Sequence, residues 1–537
     1  MKSSIFQGIL LATAILCWGH TLVFAKTDLL RYSVFGLIES LPFSFWIALT
    51  ICIFLFAVNM YKPDGSLFWC VCSLLLLLSL VYVTPCIIEA NPRFPDTYLH
   101  MGNARIIVSE GIARNDQILY SSYFPGYFIL TAVFVMITGI SPFVVMKYYP
   151  PFLMMMISVL IYLLAYQITR SKRYSFLAPF SFLSFAWFGE FHVSPQSLGI
   201  ILYLLIVYLL FETNKTKRAY GVPLCLAMVG LVVSHPTSSL FLLSFLALLA
   251  IVKGSKKNRI AFLFFLAISA IWGVFETGTL GDVASNLYDH IAHGFSLEAV
   301  FSILFAHGST SLTSAQVVIN NLRLGQILTF WVAFGAIAIS TALRPGSRLR
   351  IPRYLTIWVI SCFLVLIVIL IGSYGLFERV GLFSLVPIAV AFSYVFQRCL
   401  PLKYVKMILI AMIAISCVVL PLALYGNESY EYVPKADVSS ESFIVNNARN
   451  ASIVGYWPTM VYWHVEMNEN GLSCVDIRNS QNGEILVITS LYRNLFVNRM
   501  GNYSLETQIQ DISNETNMGR IYDNDLSIDF IHVLWSR

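Results

Sequence analysis

The clearest candidates for chemistry lie in a polar stretch that separates two apolar ones. Residues 89–111, EANPRFPDTYLHMGNARIIVSEG, contain Asp96 and His100. These two residues are four positions apart, so on a helix they would share one face. A carboxylate beside an imidazole suits a general base or a pair of metal ligands. The alternative is the solvated face of a surface helix, and the spacing alone does not choose between the two.

A second acidic candidate occurs in FGEFHVSPQSLG, residues 188–199, where Glu190 and His192 are two positions apart. Glu190 could add another carboxylate to a catalytic site, or the two residues could only cap a helix. If the site binds a divalent ion such as Mg²⁺ or Mn²⁺, the candidate ligands are Asp96, Glu190 and His192.

Further polar residues begin apolar segments. His235 lies in SHPTSS, and Glu378 and Arg379 lie in FERVG. The planar guanidinium of Arg379 matches the oxygens of a phosphate group, and at the headgroup level it would meet a lipid phosphate. The alternatives for Arg379 are an ion pair with Glu378 or a side chain that snorkels to the membrane surface.

The composition indicates how these residues are positioned. Of the 537 residues 58% are hydrophobic and 12% are charged, and the mean hydropathy is +0.75. A bilayer core about 30 Å thick needs roughly 20 apolar residues per helix. We therefore predict a polytopic α-helical membrane protein with about thirteen spans, near 5–25, 34–60, 67–88, 148–169, 174–189, 196–212, 219–234, 237–252, 260–276, 325–343, 354–374, 380–397 and 406–425.

Basic loops orient these spans, because cytoplasmic loops carry the excess of Lys and Arg. Five strongly basic loops, each separated from the next by two spans, are predicted to face the cytoplasm, at 170–173, 214–218, 253–259, 344–353 and 398–406. The N-terminus then lies inside. The short apolar segment 125–139 is interpreted as an interfacial helix within one external loop, 89–147. Nearly all ionisable residues bordering the spans fall at outer ends, namely His20, Glu39, Glu190, His192, His235, Glu276, Glu378 and Arg379.

The predicted spans and loops divide the chain into three regions. Residues 1–66 form two N-terminal spans, 67–425 form a membrane module with external loops 89–147 and 277–324, and 426–537 form a small extracytoplasmic α/β domain with short β-like runs. The loop 277–324 adds His290, His293 and His307, a weak metal signal. The chain contains no phosphate-binding glycine loop and no nucleic-acid motif, and the inner loops account for the net charge of +6.

The order of these segments resembles the GT-C membrane glycosyltransferases, a superfamily that includes oligosaccharyltransferases, protein O-mannosyltransferases and aminoarabinose transferases, and particularly its archaeal members. The matching pieces lie within about 67–397 and are a pattern of spacing. They are PDTYLH, the juxtamembrane YFPGYFILTAVFVMITGIS, the next two spans with their external turn at FGEFHVSPQSLG, HPTS, and FERVGLFSLVPIAVAF.

The resemblance implies sugar transfer from a polyprenyl-phosphate donor to a glycan, lipid or protein acceptor on the outer face, with inversion. Asp96 and Glu190 would be the acidic residues of the site, and Arg379 would hold the donor phosphate. His100, His192, His235 and Glu378 are further candidates for binding the substrate. The two extra N-terminal spans and the lack of a WWDYG-type signature depart from the family pattern, and the latter argues against transfer of a whole glycan to Asn.

The alternative function is a transporter or flippase of lipid-linked sugars. A transporter more often carries its ionisable groups near the midplane, within broken helices of paired repeats. The predicted clustering at the outer ends therefore favours an enzyme.

The predicted orientation can be tested by labelling. A Gln117→Cys variant should react with a membrane-impermeant maleimide added to intact cells, because residue 117 lies in the predicted external loop. A Lys172→Cys variant, in the basic loop 170–173, should react only after permeabilisation, and the parent chain gives the background from its native cysteines. Labelling of Lys172→Cys in intact cells, with labelling of Gln117→Cys only after permeabilisation, would show that the topology is the reverse of the predicted one.

Overall fold

The structure is a computed structural model that describes most of the chain. The long described stretches are 2–25, 35–111, 119–188, 191–212, 221–275, 314–343, 351–370, 377–398, 403–426 and 432–447, and the short ones are 452–454, 457–470, 473–475, 485–488, 518–523 and 528–532. Five of the residues singled out above lie outside the described residues, namely Glu190, Glu276, His290, His293 and His307.

The described residues of the first part of the chain, up to residue 169, form nine α-helices. They are α1 (Lys2–Phe24), α2 (Leu37–Ser40), α3 (Phe43–Tyr61), α4 (Leu67–Leu78), α5 (Thr84–Ile88), α6 (Pro95–Glu110), α7 (Leu119–Tyr123), α8 (Gly126–Thr138) and α9 (Pro142–Thr169). A π-helical turn, Ser79–Val83, joins α4 to α5. Such turns are often found at functional sites.

The second part forms the rest of the helical bundle and the C-terminal region. Its helices are α10 (Leu177–Phe185), α11 (Pro195–Glu212), α12 (Gly221–Ser234), α13 (Pro236–Lys253), α14 (Lys256–Phe275), α15 (Ser314–Ala342), α16 (Arg353–Leu370), α17 (Phe377–Arg398), α18 (Lys403–Tyr425), α19 (Lys435–Asn447), α20 (Trp457–Met460) and α21 (His464–Glu469).

Nine helical segments within the described residues are long and apolar enough to cross a membrane. The remaining four predicted spans coincide with shorter apolar helices, at Tyr174–Phe185, Pro195–Phe211, Gly221–Ser234 and Arg353–Val365. The chain is therefore an integral membrane protein with a helical fold. Its most buried long helix is α17, in which 89% of the most apolar window lies inside the structure.

Two predicted boundaries are wrong. The span expected at 34–60 begins only at Phe43, because Pro42 separates it from the short helix α2. The loop expected at 277–324 ends earlier, since α15 is already helical from Ser314. Its first turns are polar, and hydropathy therefore placed the start of the span too late.

The external loop expected at 89–147 contains three helices, α6, α7 and α8, and the first residues of α9. One face of α8 packs against the bundle through Tyr127, Phe128, Thr131 and Ala132. The rest of the helix exposes large apolar side chains, among them Leu130, Met136 and Ile137, whose exposed fractions are 53%, 64% and 80%. Such a face fits lipid at the membrane surface.

The C-terminal region carries five short strands, β1 (Ser452–Val454), β2 (Ser473–Val475), β3 (Ile485–Ile488), β4 (Met518–Asp523) and β5 (Ile528–His532). They pair in the order β2-β1-β3-β5-β4, with β1 parallel to β2 and β3, and β5 antiparallel to β3 and β4. The helical segment 457–470, which contains α20 and α21, packs on α6.

Candidate functional site

The helix that carries Asp96 begins at a strained turn. Phe94 has a φ of 66°, in the left-handed region that is uncommon for a bulky residue. Pro95 occupies the first helical position, where the N–H it lacks would have no helical partner. Asp96 follows in the first turn and is exposed. Its carboxylate complements the positive end of the helix dipole there and remains accessible to water.

His100 lies one turn further along α6, among aromatic rings. Its ring centroid is 6.1 Å from that of His192 and 5.8 Å from that of Phe128. Burial, with a smaller contribution from His192, lowers the pKa of His100 from 6.5 to about 3. Its Nδ1 atom is inaccessible to solvent and has no hydrogen-bond partner among the described residues. His100 is therefore a neutral side chain, and a neutral imidazole can donate one hydrogen bond to an uncharged ligand group and accept another.

His192 lies in the turn before α11 and is buried. Its ring stacks against those of two residues that precede α7, with centroids 5.1 Å from Phe94 and 6.1 Å from His100. The turn at 191–194 therefore lies against α6.

His235 caps the N-terminus of α13. Its Nδ1 accepts a hydrogen bond from the backbone N–H of Ser238 at 3.2 Å and lies 2.8 Å from the Ser238 hydroxyl. Gly199 of α11 approaches so closely that a Cβ there would lie 3.2 Å from the Cβ of His235. Burial, followed by the charges of Arg379 and His100, holds the pKa of His235 well below its usual value. His235 is thus a second buried neutral histidine.

Arg379 lies in the first turn of α17 and is half-buried. Its Nη1 donates to the hydroxyl of Thr237 at 3.1 Å, which links the ends of α17 and α13. One turn further along, the rings of Phe241 and Phe383 stack at 4.1 Å. The neighbouring Glu378 is exposed. The guanidinium is thus held by α13 beside His235, whose pKa responds to its charge.

Four of the sequence-predicted residues converge. The rings of His192 and His100 are in contact, Arg379 bonds Thr237 two residues after His235, and the pKa of His235 is lowered by both Arg379 and His100. We call this set the histidine–arginine cluster. Asp96 and Glu378 are exposed on the first turns of two of the same helices, and Glu190 lies outside the described residues.

A pocket is lined in part by Phe94, whose ring also stacks on His192. Its empty volume, which includes space open to solvent, is about 460 Å³. Its charged and polar lining consists of Glu89, Asn91, Arg93 and Lys147. Its other walls are mainly aromatic and aliphatic, and comprise Tyr82, Pro85, Cys86, Pro92, Phe94, Met146, Pro150, Phe188, Phe191, Leu424 and Tyr425. Phe94 therefore contacts both the pocket and His192 of the histidine–arginine cluster.

The charges of the pocket were not predicted from the sequence. Arg93 donates from Nε to both carboxylate oxygens of Glu89, at 3.0 and 2.8 Å, and its guanidinium lies 4.5 Å from the ring centroid of Tyr425. Lys147 donates to the carbonyl of Ala90 at 3.4 Å. The four-residue spacing of Glu89 and Arg93 was a visible signal. These residues precede α6, however, and only the fold brings them to Tyr425.

The described residues do not fit a metal site. No group of three or more His, Cys, Asp or Glu side chains within them is arranged to hold an ion. His192 stacks between Phe94 and His100, and Asp96 is exposed on the first turn of α6. We therefore derive no catalytic step through a metal.

The neutral histidines predict how stability depends on pH. The folded pKa of His100 is about 3, below its ordinary value of 6.5, so the unfolded chain binds more protons between these values. Stability should fall as the pH drops below about 6.5, by up to about 1.4 kcal/mol per pH unit for this group. Thermal unfolding of the detergent-solubilised protein at pH 7.5, 6 and 5 measures the slope.

The variant His100→Gln should flatten this slope, whereas His464→Gln, in the C-terminal helix α21, should keep it. An unchanged slope in His100→Gln would contradict the burial of a neutral imidazole.

Comparison with known proteins identifies the fold. No protein-family model matches the sequence, and no curated protein sequence matches it. The crystal structure of ArnT from Cupriavidus metallidurans bound to undecaprenyl phosphate matches with a TM-score of 0.50 and 10% identity, over 88% of this chain and 99% of that chain. The apo ArnT structure gives a TM-score of 0.37 and 11% identity. The chain therefore has the fold of ArnT.

Proposed function

We propose that this protein is a membrane glycosyltransferase that moves a sugar from a polyprenyl-phosphate donor to an acceptor on the extracytoplasmic face. The observation that carries the proposal is the histidine–arginine cluster, which combines one fixed cation with neutral hydrogen-bonding side chains beside a pocket. Support comes from the fold shared with ArnT, whose structure contains undecaprenyl phosphate.

Arg379 is the proposed phosphate ligand. A lipid-embedded donor presents its phosphate at the membrane surface while its isoprenoid tail stays in the bilayer, and α17 begins with Glu378 and Arg379. His100 and His235 are neutral because they are buried. In this cluster the guanidinium therefore carries the charge that complements the donor, and the neutral histidines are suited to hydroxyl groups of the sugar.

Asp96 is the proposed general base. Its carboxylate takes the proton of an acceptor hydroxyl, whose oxygen attacks the anomeric carbon of the donor. The bond from this carbon to the phosphate oxygen breaks, and polyprenyl phosphate leaves with the electron pair. Arg379 stabilises the additional negative charge on the departing phosphate. A single displacement inverts the configuration at the anomeric carbon. Glu190 is a second acidic candidate for the same site.

The pocket beside Phe94 is the proposed place for the polar part of a substrate. Its aromatic walls and its Glu89, Arg93 and Lys147 side chains combine apolar surface with a few hydrogen-bonding groups, which is the usual character of ligand pockets. The acceptor is a glycan, a lipid or a protein. A divalent ion at this site would require Glu190, which lies outside the described residues, beside Asp96 and His192.

The proposed organisation follows the sequence analysis. Residues 1–66 are two additional N-terminal helices, 67–425 form the catalytic membrane module of a thirteen-span protein, and 426–537 form an extracytoplasmic α/β domain. The protein lies in the plasma membrane, with its N-terminus in the cytoplasm.

The role of Asp96 predicts a large loss of activity without a loss of folding. Asp96→Asn keeps the shape of the side chain and removes the base, so transfer should fall at least about a hundredfold. The rate of transfer is measured as the release of sugar from a panel of polyprenyl-phosphate sugars. Asp64→Asn changes another exposed carboxylate, in the turn between α3 and α4, and should retain activity. Near-normal turnover of Asp96→Asn would refute the assignment.

Arg379 should govern donor affinity. Arg379→Ala removes a charge-assisted contact of about 1.5–3 kcal/mol, which corresponds to roughly 10- to 150-fold weaker binding. Arg379→Lys should retain part of the affinity, because an ammonium supplies charge but no planar fork. Titration with a polyprenyl-phosphate sugar measures both variants. If Arg379 served only to pair with Glu378, Glu378→Ala would be about as harmful and donor affinity would hardly change in either variant.

A further inference from the structure

The C-terminal segment 457–470 packs against one side of α6. The guanidinium of Arg105 donates to the carbonyl of Tyr462 and to the carboxylate of Glu466, and it lies 4.6 Å from the ring centroid of Tyr462. The ring of Tyr98 meets that of Tyr462 edge-on at 5.8 Å. One arginine thus bridges a backbone carbonyl, an aromatic face and a carboxylate of the same short segment.

The two backbones meet at Gly102. A Cβ at this position would lie 2.4 Å from the carbonyl oxygen of Val461 and 2.8 Å from the backbone nitrogen of Tyr462. Real Cβ atoms do not approach backbone atoms so closely, so any larger residue must separate α6 from the segment. Just before α6, the side-chain amide of Asn91 donates to the carbonyl of Val433 at 3.1 Å. The C-terminal region therefore holds both the start and the middle of this element.

The docking residues and the proposed catalytic residues lie on opposite sides of α6. A helix turns about 100° per residue, so Tyr98, Gly102 and Arg105 fall within roughly 40° of one direction. Asp96 and His100 lie roughly 160° from that direction. The C-terminal segment thus packs on the side of α6 opposite to Asp96 and His100. On that other side the ring of His100 lies 6.1 Å from the ring of His192.

We propose that segment 457–470 positions α6 for catalysis, with Arg105 and Gly102 as positioning residues that touch no substrate. This inference rests on the proposed function, because it assigns the segment a task in the same site. The contact fixes the height and rotation of α6 against the histidine–arginine cluster. A displacement of about 1 Å at a catalytic group can cost about a hundredfold in rate.

Charge reversal tests the inference in the full-length protein in detergent. Arg105→Glu and Glu466→Arg each place like charges together, so amide hydrogen exchange in residues 97–104 should rise. The kcat should fall about 10- to 100-fold while the KM for the donor stays within about two-fold. The double variant restores opposite charges and should recover part of both effects, although the bond to the Tyr462 carbonyl is lost.

Gly102→Ala provides an independent steric test. Alanine ordinarily stabilises a helix relative to glycine, so a loss of kcat with increased exchange in α6 would come from the clash with Val461. Gly335→Ala is the matched control, because Gly335 lies within α15 and a Cβ there would meet no atom of the described residues within 4 Å. This control should change neither measurement.

The outcomes separate the two proposals. Sugar transfer by the unaltered chain, together with unchanged exchange or unchanged kcat in Arg105→Glu and Gly102→Ala, would overturn the positioning role alone. Absence of transfer from every polyprenyl-phosphate sugar by the unaltered chain would refute the proposed function, and the positioning role with it.

Discussion

The cost of burying charge in hydrocarbon is the constraint on which the rest of this structure depends. An ionised side chain in the bilayer centre is expensive, and backbone polar groups there must be satisfied within helices. The apolar helices consequently carry their chemistry at their ends. Arg379 at the start of α17, His235 at the cap of α13 and the turn before α11 all follow this rule. The same constraint lowers the pKa values of the buried imidazoles of His100 and His235 and keeps both neutral.

The strained backbone at Phe94 lies next to both the pocket and the histidine–arginine cluster. A bulky residue in left-handed backbone costs on the order of 1–3 kcal/mol and persists when its surroundings fix it. The ring of Phe94 stacks on His192 and also lines the pocket, and these contacts fix its conformation. The turn thus contacts both an aromatic pocket with its buried Glu89–Arg93 ion pair and the histidine–arginine cluster. A buried pair of this kind is weak evidence for stability, so its place beside a pocket carries more information than its geometry.

Hydropathy and charge predicted the helical membrane fold. The predicted outer-end positions singled out His192, His235 and Arg379, and the four-residue spacing from Asp96 singled out His100. Boundaries failed where local chemistry overrode the average, at Pro42 and at the polar first turns of α15. The sequence could not find the contact of Arg93 with Tyr425 or that of Gly102 with Val461, since neither partner has a local pattern that specifies the other. Glycine within a helix signals a close approach, but it does not name the approaching element.

The contact between α6 and the C-terminal segment also orders the biogenesis of the protein. Arg105 and Glu466 are 361 positions apart in the chain. At synthesis rates of about 5–20 residues per second, roughly 20 to 70 s separate the emergence of α6 from that of its docking partner. During this interval the membrane helices can insert and pack, yet α6 lacks the support that its catalytic geometry requires. Under the proposed positioning role, a nascent chain gains a complete site only after segment 457–470 has been synthesised and has packed on α6.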